Sequence, residues 1–269
     1  MTKQFFCILY YIKVSFKRQF LSYKFRFISW VASNSVFFFF YLVLWDGIYT
    51  NKNNVYTISQ LLTYIFCSKI IESISYTNIE TNISKDLRKG AIETKIVRPL
   101  DYKITLLIEN IGNNIASILI YIPVYALIFA FFCCVKSYQF EFAFGNCALG
   151  IISAIMAFFL NYFFSLCFSI LIFKSIKSHA VIVFKKTILA FLSGSLIPYT
   201  FYPEIIQNIL RVLPTRLFCY DSIQIFLGKY GIAESISIIV LQVVLGVCLY
   251  IFANLLWKKF EKNILVYGG

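Results

Sequence analysis

The chain has 269 residues, 60% of them hydrophobic and only 14% charged, with a mean hydropathy of +0.77 and a net charge of +13. A soluble domain carries about 25% charged residues, so this composition excludes water as the main solvent and describes an integral membrane protein. The positive charge is spread loop by loop rather than gathered in one patch, which speaks against nucleic acid as a partner and for membrane topology.

Residues 5–27 set Phe5, Ile8, Leu9, Ile12, Phe16, Phe20 and Phe27 at helical spacing among Lys13, Lys17, Arg18, Lys24 and Arg26. The pattern predicts an amphipathic helix in the headgroup plane, with its basic face on anionic membrane lipid. Long uncharged runs follow at 27–45, 110–135, 142–173 and 235–257. Each supplies the roughly 20 apolar residues that a helix needs to span a bilayer. Residues 53–79 are interrupted only by Lys69 and Glu72, and residues 187–203 are uncharged but fewer. Six transmembrane helices are therefore expected in an all-α membrane protein; a closed barrel would show short alternating segments instead.

Basic residues concentrate before the first run, between the second and third (Lys85, Arg88, Lys89, Lys95, Arg98, Lys103), between the fourth and fifth (Lys174, Lys177, Lys185, Lys186) and after the sixth (Lys258, Lys259, Lys262). By the positive-inside rule both termini are expected in the cytoplasm. Frequent Lys, Asn, Ile, Phe and Tyr match an AT-rich bacterial genome, so the expected location is a bacterial cytoplasmic (inner) membrane. The first apolar run is a full span with no cleavage pattern after it, and reads as a retained anchor.

The loop at 84–101 has punctuation of its own. Gly90 suits the left-handed end of a helix. Residues 91–97 can form a second short helix, Arg98 before Pro99 is biased towards extended backbone, and Asp101 can cap the helix beginning near Tyr102. Residues 194–231, with Pro198, Pro203, Pro214 and Gly228, are too apolar for a solvated loop and too broken for one span. Two short helices dipping into the outer leaflet are expected there, as a re-entrant segment.

Chemistry-bearing motifs are sparse. His179 is the one histidine, so no histidine-rich metal site is available, and no G-x-x-x-x-G-K-[ST] phosphate loop is present. No catalytic, cofactor-binding or metal-binding residue is assigned. The eight cysteines show no C-x-x-C spacing and read as small buried hydrophobes. Lys69 and Glu72, three apart, share a helix face and are expected to pair within the second span. Glu109 is expected at the interface.

Three ordered features carry a family resemblance: Gly90-Ala-Ile-Glu-Thr-Lys-Ile-Val-Arg98-Pro99-Leu100-Asp101; Gly194, Pro198, Phe201, Pro203, Leu213, Pro214 and Gly228; and the tail Tyr267-Gly268-Gly269. The set resembles type-2 ATP-binding-cassette transporter permeases, in the subgroup with a Gly and an acidic residue before Arg-Pro-Leu. The resemblance implies one permease domain over 1–269. Residues 5–27 would be the interfacial elbow, 84–101 the cytoplasmic coupling loop and 194–231 the outer segment. It implies coupling to an ATPase through Gly90, Ile92, Glu93, Arg98, Pro99 and Leu100, and an outer gate at Gly194, Pro198, Pro203 and Pro214. Lys95 beside Glu93 departs from the apolar residues expected in that loop. The implied partners are a cassette ATPase, which would hold ATP and Mg, and a second permease, identical or different. The cargo would be an exported amphiphile such as a drug, peptide or lipid-like molecule. The competing readings are a lipid-modifying membrane enzyme, drawing on Glu204, Asp221, Arg211 and Arg216, and an ion-coupled transporter built on Lys69 and Glu72.

Overall fold

A computed structural model describes residues 10, 12–14, 17, 24–49, 56–96, 101–138, 144–174 and 178–267. Among the described residues the fold is all-helical, with no strand: α1 Lys24–Ile48, α2 Ile58–Ser75, α3 Ile79–Arg88, α4 Ile92–Ile96, α5 Tyr102–Lys136, α6 Cys147–Lys174, α7 Ser178–Leu192, α8 Glu204–Val212, α9 Tyr220–Phe226 and α10 Ile232–Tyr267. Short 3-10 turns cover residues 144–146, 199–201 and 214–218. Of the leader expected over residues 5–27, all but positions 10, 12–14, 17 and 24–27 lies outside the described residues.

Four described helices are long and apolar enough to cross a membrane, within Val31–Ile48, Tyr102–Lys136, Cys147–Ile172 and Ile232–Lys258. They correspond to the four uncharged runs. Their large side chains divide by face: in α1, Phe38 and Leu42 are buried while Phe37 and Phe40 are exposed. On helices long and apolar enough to cross a bilayer, such exposed aromatics suit contact with lipid.

The fifth interior element is α2, whose residues from Leu61 to Ser68 are all buried. It is enclosed by α1, α5, α6 and α9. A helix surrounded by protein needs no continuous apolar surface, which is how α2 tolerates Thr63, Ser68 and Lys69. An aromatic seam runs beside it: Phe66 of α2 stacks on Phe129 of α5 with centroids 4.8 Å apart, and Phe38 of α1 lies 4.8 Å from Tyr125 of α5.

Helices α6 and α10 run side by side in the same direction. Ser153 is level with Gln242, to whose side-chain oxygen it donates at 3.0 Å, and Phe163 meets Tyr250 at 5.4 Å. Gln242 also donates to the Leu217 carbonyl at 2.9 Å, so a buried amide ties the segment between α7 and α10 to the bundle.

The bundle has two distinct ends. At one, Asp46 accepts from the Tyr138 hydroxyl at 2.6 Å and pairs with Lys136 at 3.0 Å, Asn146 donates to the Tyr230 carbonyl at 3.3 Å, and Trp45 meets Phe201 at 4.8 Å. Hydrogen bonding to Asp46, with burial second, pushes the Tyr138 phenol up to about 12. The other end gathers α3, α4, the starts of α5 and α7 and the later turns of α10.

Candidate functional site at the basic end

This end is built around α3. Ile79 and Ile83 are fully buried and join Ile92, Tyr102, Leu106 and Trp257 in one apolar cluster from four helices. Each fully buried side chain of this size contributes roughly 1.5–3 kcal/mol, so the segment after α2 is docked rather than hanging free.

The chain breaks at residues 76–78 between α2 and α3, and α5 supplies the missing hydrogen bonds. Asn110 accepts from the Asn78 N–H at 3.0 Å, and Asn114 donates to the carbonyls of Ile74 and Tyr76, each at 2.8 Å. A helix break inside a membrane bundle requires such partners. Near the same level, Asn82 donates to Glu109 at 3.4 Å.

The far end of α3 closes in a Schellman motif. The Ala91 N–H donates to the Asp86 carbonyl at 2.9 Å and the Gly90 N–H to the Leu87 carbonyl at 3.1 Å, with Gly90 at φ +62°. The Asp86 carboxylate then fastens α4 to α5: Lys95 Nζ donates to its two oxygens at 2.7 and 2.9 Å, and the Tyr102 hydroxyl at 2.7 Å. Lys95, which departed from the expected apolar pattern, therefore holds the second short helix in position. Asp101 caps α5 by accepting from the Lys103 N–H at 2.9 Å.

Two further links reach α7. Ser84 and Ser178 share a hydrogen bond of 2.9 Å, and Arg88 donates to Ser178 at 3.5 Å. Deeper in, Lys185 pairs with Glu80 and donates to Ser165 on α6, whose hydroxyl also bonds Thr77 at 2.7 Å. The side chains of Lys185 and Glu80 are only 4% and 1% exposed. Water is excluded, so neither charge has a substitute for its partner. Beside this joint is a cavity of about 130 Å³ lined by Glu72, Tyr76, Asn161, Lys185 and Lys186 among others. Lys186 donates to the Tyr76 hydroxyl at 3.0 Å.

The residues singled out by sequence divide. Gly90 and Ile92 are both at this end, Gly90 exposed at the turn and Ile92 buried as an anchor of α4. The Glu93 side chain and residues Arg98, Pro99 and Leu100 lie outside the described residues. Lys69 donates to Glu72 at 2.8 Å, with its ammonium 5.8 Å from the rings of Phe37 and Tyr41. At the opposite end Gly194, at φ +72°, gives its carbonyl to the Tyr64 hydroxyl at 2.6 Å. Tyr199, one residue after Pro198, stacks on Tyr220 at 4.1 Å against it. Pro203 precedes α8 and Pro214 opens the 214–218 turn, both exposed. Gly194 and Pro198 thus share a packed corner, whereas Pro203 and Pro214 shape its rim.

Sequence reading overlooked the Lys185–Glu80 joint, counting Lys185 as a loop charge. The available signal was the Lys185–Lys186 doublet inside an apolar helix, where adjacent residues point about 100° apart and both cannot face one side. The Asn110, Asn114 pair, four apart on α5, was a second such signal.

Residues 31–262 match the family model described as ABC-2 family transporter protein. No curated protein and no solved structure matches the chain. With six-sevenths of its length inside the matched range, this helical membrane chain belongs to the ABC-2 transporter family.

Proposed function

We propose that the chain is the permease subunit of an ATP-binding-cassette exporter, moving an amphiphilic cargo across a bacterial cytoplasmic membrane when driven by a separate ATPase. The observation that carries this reading is the unit α3, Gly90 turn, α4, bonded to α5 and α7 at the end richest in lysine and arginine. A unit held by buried groups can transmit a push, where a loose loop would absorb it.

In this reading α2, of 18 residues, and α7, of 15 residues continued by the segment after it, are the second and fifth of six spans. Fifteen helical residues reach about 22 Å, so the fifth span needs the buried corner at Gly194 and Pro198 to complete the crossing. Both termini face the cytoplasm, residues 5–27 form the interfacial elbow, and residues 194–231 re-enter the outer leaflet as the gate. Residues 84–101 dock in the ATPase through Gly90, Glu93, Arg98, Pro99 and Leu100, with Ile92 anchoring the unit from behind. ATP and Mg are bound by the ATPase, and a second permease, identical or different, completes the pathway. Lys69 and Glu72 serve as an internal ion pair.

Closure of the ATPases on ATP would bias the permease between two states through their differing affinity for it. The joint of Glu80, Lys185 and Ser165 lies on the route from the coupling loop to α6 and α7. Co-expression of the tagged chain with a cassette ATPase encoded beside it tests the proposal. The ATPase should co-purify in mild detergent with the wild-type chain and be lost with Glu93→Lys, Arg98→Glu. Failure of the wild-type chain to retain an ATPase would overturn it.

A further inference from the structure

A pocket at the end opposite the coupling unit has chemistry that export alone does not explain. Two adjoining cavities, of about 310 and 150 Å³, share Thr200, Gln207, Arg211, Tyr220 and Tyr230. Lys229 lines the larger and Arg216 the smaller, and among the described residues no carboxylate lines either.

The three cations are not neutralised alike. Arg216 Nε pairs with buried Asp221 at 3.2 Å. Arg211 meets the neutral Gln207 side-chain oxygen at 3.5 Å, and Lys229 donates to the neutral Gln60 oxygen at 2.9 Å. Lys229 also stands 5.3 Å from the Tyr56 ring. Among the described residues, two positive charges therefore face the cavities with neutral hydrogen-bond partners.

Thr200 contributes to the wall of both cavities, its hydroxyl buried behind their surface with no hydrogen-bond partner among the described residues. Gln207, which lines both cavities, has its amide committed to the carbonyls of Thr200 and Tyr202, at 3.3 and 2.8 Å, and so fixes the Thr200 wall. On the outer face of α8, Ile205, Ile209 and Val212 are 76%, 56% and 86% exposed. An apolar strip beside a cationic pocket fits a molecule with a charged head and a greasy tail.

We propose that this pocket binds a phosphate group, gripped by Arg211 and Lys229 with the Arg216 guanidinium beside them. A phosphate offers several charged acceptor oxygens, which guanidinium and ammonium donors engage with stronger bonds than neutral groups give. The phosphate belongs either to a lipid headgroup whose tail lies along α8 or to a free anion. The inference stands on this pocket alone and holds whether or not the chain docks an ATPase.

The full chain in neutral detergent is titrated with radiolabelled inorganic phosphate by equilibrium dialysis. In parallel it is titrated with phosphatidylglycerol and with phosphate-free diacylglycerol by native mass spectrometry. The same titrations are run on Arg211→Gln, Lys229→Gln, two exposed positions whose exchange leaves the core intact, with the thermal midpoint checking the fold. Binding of phosphatidylglycerol or of inorganic phosphate, weakened about tenfold or more in the double variant, supports the site. Saturation by phosphatidylglycerol alone identifies the lipid headgroup as the source, and saturation by inorganic phosphate identifies the anion itself. The proposal is overturned if neither phosphate probe binds better than diacylglycerol, or if the folded double variant binds as the wild type does.

Discussion

Lys185 on α7 pairs with Glu80 on α3 across 105 positions of sequence, and both side chains are almost wholly shielded from solvent. The pair joins the first turn of α3 to α7, which packs against it. A charge without its partner at such a site costs more than the pair contributes when intact.

Replacing one partner should therefore be far worse than replacing both. Lys185→Met or Glu80→Gln alone is expected to lose about 3–5 kcal/mol of stability, read as a fall in the detergent melting midpoint. The double variant Glu80→Met, Lys185→Met should recover most of that loss. Equal melting of single and double variants would remove the pair from the account.

Asn114 donates to the carbonyls of Ile74 and Tyr76, at the end of α2 where the α2–α3 break begins. Asn114→Leu keeps similar volume but removes the partner of two part-buried carbonyls, at about 1–3 kcal/mol in all. Hydrogen exchange should accelerate over residues 74–82 in this variant and remain unchanged at the opposite end of α5. Protection equal to the wild type would show that the break is held by something else.

Gly90 and Gly194 share a left-handed backbone but not their surroundings. A Cβ at Gly90 would meet nothing within 4 Å, while at Gly194 it would lie 2.9 Å from the Tyr199 ring and 3.2 Å from the Tyr220 Cβ. Gly90→Ala should thus cost about 1–2 kcal/mol, the backbone term alone. Gly194→Ala adds overpacking, for a further 1–3 kcal/mol or so. Thermal midpoints of the two variants give the order directly, and Gly90→Ala melting lower would contradict it.

Lys95 and Asp86 are 28% and 12% exposed, so their bond is worth less to stability than the buried pair but more to geometry. Asp86→Asn, Lys95→Ala is expected to shift the melting midpoint little while weakening ATPase retention several-fold. Unchanged retention would show that α4 needs no anchoring for docking.

Much of the fold was legible because its signals are local. The four uncharged runs became the four long apolar helices, the Gly90 and Asp101 punctuation became a Schellman end and a helix cap, and the Lys69–Glu72 spacing produced its ion pair. What sequence could not supply is which polar residues meet. Lys185 reads as a cytoplasmic charge and Asn110 as the start of an apolar span, and nothing singles out Glu80. Each acquires its role only when α3, α5 and α7 pack together. Ile92, assigned to ATPase coupling by resemblance, is 4% exposed and packs in the cluster with Ile79, Ile83 and Trp257.

Photo-crosslinking tests the central claim, that the α3–α4 unit is where the ATPase docks. A benzophenone amino acid at exposed Lys89 or Thr94, in the chain co-expressed with the cassette ATPase, is irradiated in native membranes, with exposed Ile205 at the opposite end as the control. The account predicts one adduct of permease plus ATPase from positions 89 and 94 and none from 205. No adduct from either coupling position, or equal adducts from position 205, would contradict it.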